Sequence, residues 1–193
     1  MFKNKVLERI TLYLLSLALL SSCKKTDYTR LVEQELKKGR QDSLFLGLHF
    51  GMKRQVFFDQ CMELNRQHLT INGMKGLSVL YKIQDPEGTI YMHFYPEFWE
   101  DRIYEMRVVF TYENWSLSNP NTQPDSLQNR VKRMYDQWYG PGFLAVKKDM
   151  GDHQGDLAYV KVNGNRRIVV FKEGEMDVRA VFTDLIKENE IKK

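Results

Sequence analysis

The sequence is poor in cysteine, proline and histidine. Cys23 and Cys61 are its two cysteines, too few for the bridges that staple small exported domains. His49, His68, His93 and His153 stand apart from each other and from cysteine, with no zinc-ligand spacing. No Gly-x-Ser-x-Gly elbow, His-Glu-x-x-His helix or phosphate-cradling glycine loop occurs. No lysine/arginine stripe runs along the chain, so nucleic acid is not an expected partner. Asp149, Asp152 and Asp156, with Gly151 and Gly155, are acidic enough for calcium, but their spacing departs from the alternating ligands and terminal glutamate of an EF-hand. They read as a solvated loop, and neither a metal site nor a cofactor is expected. No apolar run reaches the roughly 20 residues a membrane-spanning helix needs.

What is present begins at the N-terminus. Met1 to Arg9 carries Lys3, Lys5 and Arg9 against one acid, Glu8. Ile10 to Leu20 is apolar apart from Thr11 and Ser16, and Ser21-Ser22 supplies small residues. A basic region, a short apolar run and a small-residue site make up a secretory signal, predicted over residues 1–22. Leu20-Ser21-Ser22-Cys23 resembles the bacterial lipoprotein box. The resemblance implies that Cys23 becomes the first mature residue and carries acyl chains. Each buried methylene contributes about 0.8 kcal/mol, and stable anchoring needs at least two chains or signals. In enterobacterial lipoproteins with this box, aspartate after the cysteine favours the inner membrane. Lys24-Lys25 stands there instead, which implies the outer membrane. Surface-displayed lipoproteins of Bacteroidetes often carry Asp- or Ser-rich residues at this point, so the lysines favour the periplasmic side.

Residues 1–22 hold three basic side chains and one acid, so the remaining 171 residues carry a net charge of +2 rather than the +4 of the whole chain. That length suits one domain, or two small halves sharing a core. With Cys23 acylated, Cys61 has no intrachain partner, and packing alone must hold the fold.

After the anchor, residues 23–42 read as the lipidated N-terminus and a mobile tether. Thr26 to Lys38 is predicted helical, with Tyr28, Leu31, Val32 and Leu36 on one face and Gly39 as the stop. Residues 43–112 read as a first helix-and-meander half. Phe57, Cys61, Leu64 and His68 recur at helical spacing over Met52 to Arg66. Cys61 on that stripe packs as a small hydrophobe; the rival role, a reactive nucleophile, requires an exposed electropositive setting. His68 is expected to pack or cap. Leu77, Val79, Tyr81 and Ile83 alternate as a strand, and Asp85-Pro86-Glu87-Gly88 is a turn. Thr89 to Tyr95 returns, Tyr95 to Asp101 is read as a wide connection, and Ile103 to Tyr112 is a third strand. On it Tyr104, Met106, Val108, Phe110 and Tyr112 face one way, and Glu105, Arg107 and Thr111 the wet way.

Residues 113–121 read as a linker. Residues 122–193 form the second half with a charged tail. Thr122 and Asp125 propose a capping box, and Leu127, Val131, Met134 and Trp138 a helical stripe that ends at Tyr139-Gly140-Pro141-Gly142. Strands are predicted at Phe143–Lys148, on both sides of Asn163-Gly164, and at Asp177–Thr183. The last ten residues are expected to fray. The fold class is therefore α+β: two helix-then-antiparallel-meander halves, with helices on one face of the sheet.

The segments LGLHFGMKRQVFFDQC and VKRMYDQWYGPGF bring a Gly-Met step into a helix and a Tyr-Gly step before a strand. With the meanders, they resemble the envelope domains related to β-lactamase-inhibitor protein and to the SmpA/BamE lipoproteins. With the lipoprotein box, the chain is similar to lipoproteins of Bacteroidetes. The resemblance implies a binding or scaffold module, although fold alone does not fix function.

Four aromatic residues are candidates for partner binding: Tyr95, Phe98 and Trp99 around Pro96, and Trp115 in the linker. Aromatics anchor interfaces because they bury large area with few torsions to freeze. Either they form an exposed patch or their loop folds onto its own core. The expected function is a lipid-anchored, non-catalytic envelope scaffold or protein-binding module with an envelope protein as partner. The alternatives are an inhibitor or small-ligand carrier using the sheet face, and an enzyme of unrecognised type.

Overall fold

The computed structural model describes residues 27–72, 78–147 and 155–193. The signal, Cys23, Leu77, His153 and the acidic loop at Asp149 and Asp152 lie outside them. The chain divides into one unit up to Gln34 and a second from Glu35 onward. Asp27–Leu36 is helix α1, which buries none of its side chains fully.

The second unit is built on one antiparallel sheet. Its strands are β1 (Thr70–Asn72), β2 (Val79–Asp85), β3 (Gly88–Trp99), β4 (Arg102–Tyr112), β5 (Leu144–Lys147), β6 (Leu157–Asn163), β7 (Arg166–Glu173) and β8 (Asp177–Asp184). The order is β1-β2-β3-β4-β8-β7-β6-β5. Each half is thus a meander, and the halves join where their last strands pair, Val108 opposite Ala180. The expected α+β class and helix-meander repeat are what the chain adopts.

The core lies on the face that carries Ile90, Met92, Phe94, Met106, Val108, Phe110, Ile168, Val170, Ala180 and Phe182. Helix α3 (Pro124–Tyr139) seals it with Leu127, Val131 and Tyr135. Tyr135, not the expected Trp138, carries the stripe: its ring meets Phe110 and Phe182 at 5.9 and 5.4 Å between centroids. Helix α2 (Arg54–Arg66) contributes Phe57 to the same core and buries Leu64. Trp138 stays largely exposed.

Several boundaries depart from expectation. Tyr95 to Trp99 continues β3, and a tight turn follows in which Glu100 and Asp101 both have positive φ, as a two-residue hairpin loop of the I′ kind requires. The pairing steps from Glu105 opposite Glu97 to Ile103 opposite Phe98, so Tyr104 is the extra residue of a bulge. Ile103 is therefore buried in its place. The cap of α3 is Gln123, one residue past Thr122, whose hydroxyl donates to Asn119 O. His68 ends α2 in the left-handed conformation. Its N–H donates to Asn65 O and that of Leu69 to Leu64 O, the paired bonds of a Schellman cap. The C-terminal residues expected to fray form helix α4 (Leu185–Ile191), capped by the Asp184 carboxylate on the N–H groups of Ile186 and Lys187. In the β6–β7 hairpin Asn163 pairs with Arg166. The loop is therefore Gly164-Asn165, and Gly164 alone takes positive φ.

That hairpin tip is also where residues 35–43 attach, although the sequence reads most of them as tether. Gln41 N–H donates to Asn165 Oδ1 at 2.6 Å, Asn165 Nδ2 to Asp42 at 3.0 Å, and Arg40 to Asp184 at 2.8 Å. Leu44, Phe45, Leu48, Phe50 and Met52 then enter the core without helix or strand, the backbone bending through left-handed Leu46 and Gly47. The Gly51-Met52 step bonds to Ile103 in both directions before α2 begins.

Candidate functional site

The four candidate aromatic residues are not one patch. Trp99 precedes the eleven-residue β4 and Trp115 follows it, which separates them by about 35 Å at roughly 3.3 Å per residue. Trp115 packs against the core, and its buried indole N–H has no partner among the described residues. Tyr95 and Phe98 lie together at the end of β3, each 6.0 Å from Phe57. Arg54 covers the outer side of Phe98 at 4.0 Å. Trp99 is the exposed member, at 44%.

The register of β2 with β3 stops at Val79 opposite Phe94. Helix α2 lies against β1 and, through Phe57, against Tyr95 of β3, and it leaves a groove of about 610 Å³ lined by Phe57, Phe58, Cys61, Met62, Ile71, Val79 and Tyr95 among others. Phe58, Met62 and Ile71 are exposed there, and Val56, Leu69 and Trp99 are exposed on the same elements or turns. The reason is the helical spacing of α2: Phe57, Cys61 and Leu64 face inward, which leaves Phe58 and Met62 on the outer side. Burial pushes the Cys61 thiol up to about 11, the opposite of what an activated nucleophile needs. Cys61 is a lining group.

A second concavity lies on the core side of the β6–β7 hairpin. Lys161 pairs with Ile168 and Asn163 with Arg166, so alternation places Lys161 and Arg166 on the face of the core residue Ile168. Both are buried, at 8% and 5% exposure. Lys161 Nζ donates to the carbonyls of Gly140 and Pro141, at 2.8 and 2.5 Å, where α3 ends; the negative end of the helix dipole favours a cation there. Arg166 lies over the Tyr139 ring at 4.6 Å and donates from one terminal nitrogen to Ser43 O. Burial lowers the pKa of both cations. Burial also pushes the Tyr139 hydroxyl far up, and that group donates to Leu44 O at 3.1 Å. Arg166 and Tyr139 line a cavity of about 430 Å³ together with Ser43, Phe45, Met92 and Trp138. None of its polar members stood out in the sequence. The signal was the Val-Lys-Val-Asn-Gly-Asn-Arg-Arg register, which puts two cations on an otherwise apolar strand face.

The remaining candidates are structural. His49 Nδ1 is 2.8 Å from Phe50 O, and Ser78 lies 3.4 Å from His93 Nδ1. Asp156 pairs with Lys172. Among the described residues no three metal-binding side chains cluster, and no helix is long and apolar enough to cross a membrane. Compared with family models, curated proteins and solved structures, the chain matches none.

Proposed function

We propose that the protein is a lipid-anchored, non-catalytic binding module of the bacterial envelope. In this reading Cys23 carries the acyl chains, the outer membrane holds them, and the body faces the periplasm. The α2–β1–β3 groove docks an apolar segment of another envelope protein. The observation that carries the docking claim is that three exposed large apolar side chains, Phe58, Met62 and Ile71, line this one groove. Contiguous exposed apolar surface of this kind marks interaction sites. The anchor rests on the lipoprotein box, and the resemblance to the inhibitor-like and SmpA/BamE-like envelope domains rests on the sequence segments that carry it.

The test uses side chains that hold nothing else in place. Met62→Glu and Trp99→Ser alter exposed groups, whereas Phe98→Ala would strip a contact from Phe57. Crosslinking in native envelopes should capture a protein with the natural chain and lose it with Met62→Glu, the melting temperature unchanged. Equal capture by both chains rejects the groove as the docking surface.

A further inference from the structure

We propose that the cavity beside Arg166 is a binding site for a small monocarboxylic acid with an apolar body. This does not rest on the docking groove, which uses other residues. Arg166 is 5% exposed, and its Nε is buried without a partner. One terminal nitrogen is committed to Ser43 O, and the guanidinium face to Tyr139. Among the described residues no acceptor meets Nε or the other terminal nitrogen, and no carboxylate lies within ion-pair distance of Arg166. Asp42, which it senses electrostatically, is already engaged by Arg40 and Asn165. A buried guanidinium without an anion is costly, and a carboxylate is the group that meets a guanidinium with strong charge-assisted hydrogen bonds.

The cavity wall selects the rest of the ligand. Leu44, Phe45, Met92 and Trp138 supply apolar and aromatic surface. One guanidinium balances one negative charge. Lys161 is turned to the α3 carbonyls and is no second anion donor. A phosphate dianion would bring charge and acceptors that this lining does not meet. At about 430 Å³ the space suits a ligand at the small end of ordinary pockets. Trp138, exposed at 44%, stands at the opening.

The full chain, detergent-solubilised, would be titrated calorimetrically with 3-phenylpropionate and 4-phenylbutyrate, and with the corresponding alcohols. Saturable one-to-one binding of the acids is expected, with the alcohols at least tenfold weaker. Arg166→Met should abolish that preference. No saturation by either acid, or acid and alcohol binding alike, overturns the proposal, as does a preference that survives in Arg166→Met. Should that variant fail to fold, the acid-alcohol comparison on the natural chain decides alone.

Discussion

A β-carbon placed on Gly164 would lie 2.3 Å from the carbonyl oxygen of Gly39. Gly164 turns the β6–β7 hairpin with φ +58, and Gly39 ends the turn after α1 with φ +100. The hairpin tip and the segment before the core thus meet backbone to backbone. Gly164→Ala must move one of them and also hold alanine in the left-handed region. The expected cost is about 2–4 kcal/mol, read as a lower urea midpoint with little change in slope. A midpoint equal to that of the natural chain would show that this approach can relax freely.

Two neighbouring tyrosines should respond oppositely to loss of a hydroxyl. The Tyr135 hydroxyl is buried without a partner among the described residues, whereas that of Tyr139 donates to Leu44 O. Tyr135→Phe removes an unsatisfied group and should hold or raise stability, by up to about 1 kcal/mol. Tyr139→Phe leaves a carbonyl without its donor and should cost about 1 kcal/mol. Thermal melts of both variants distinguish them; the reverse order would contradict the assignment.

The pH dependence of stability carries a signature of His93. Burial lowers its pKa below the ordinary imidazole value, with Asp177 opposing that shift. The folded protein therefore binds fewer protons than the unfolded chain just below about pH 6.5. Stability is fully present above that pH and is lost as pH falls through the lower folded value. Denaturant midpoints measured down from pH 7.5 should show this loss, and His93→Gln should flatten the part due to His93. An unchanged slope in the variant would remove His93 as the cause.

Asp184 links three elements. It caps α4, ends β8 and takes a 2.8 Å contact from Arg40 while itself buried. Asp184→Ala should cost about 1–3 kcal/mol, from the lost cap and the lost contact with Arg40, which keeps its bonds to Asp42. Arg40→Ala should cost less, because that side chain is half exposed and its partner keeps the cap bonds. Equal losses would mean that the ion pair, not the cap, holds the terminus.

Elements with a strong local signal were legible from sequence. The Asp85–Gly88 turn, the α3 stripe through Leu127 and Val131, and the β6–β7 hairpin follow from turn chemistry and periodicity. Elements held by distant partners were not. Three-residue β1 is too short to show alternation. Leu44 to Met52 is apolar without a period, because its path is set by left-handed turns and bonds to Ile103. Helix α4 has seven residues, below the length at which a helix stands alone; the Asp184 cap and buried Leu185 keep it. The bulge at Tyr104 leaves alternation intact in the letters but shifts it in space. The site divided similarly. Sequence singled out Tyr95, Phe98 and Trp99, but the groove beside them needed the placement of α2 and β1. Arg166 was hidden because its burial depends on the segment through Ser43, 123 residues earlier.

In the proposed function an acyl anchor at Cys23 places this body in the envelope, and intact-mass analysis of protein recovered from its native membranes tests that most directly. The expected mass is that of a chain that starts at Cys23 and carries acyl chains in addition to its residues. A chain that still bears residues 1–22, or an unmodified cysteine at position 23, would contradict it.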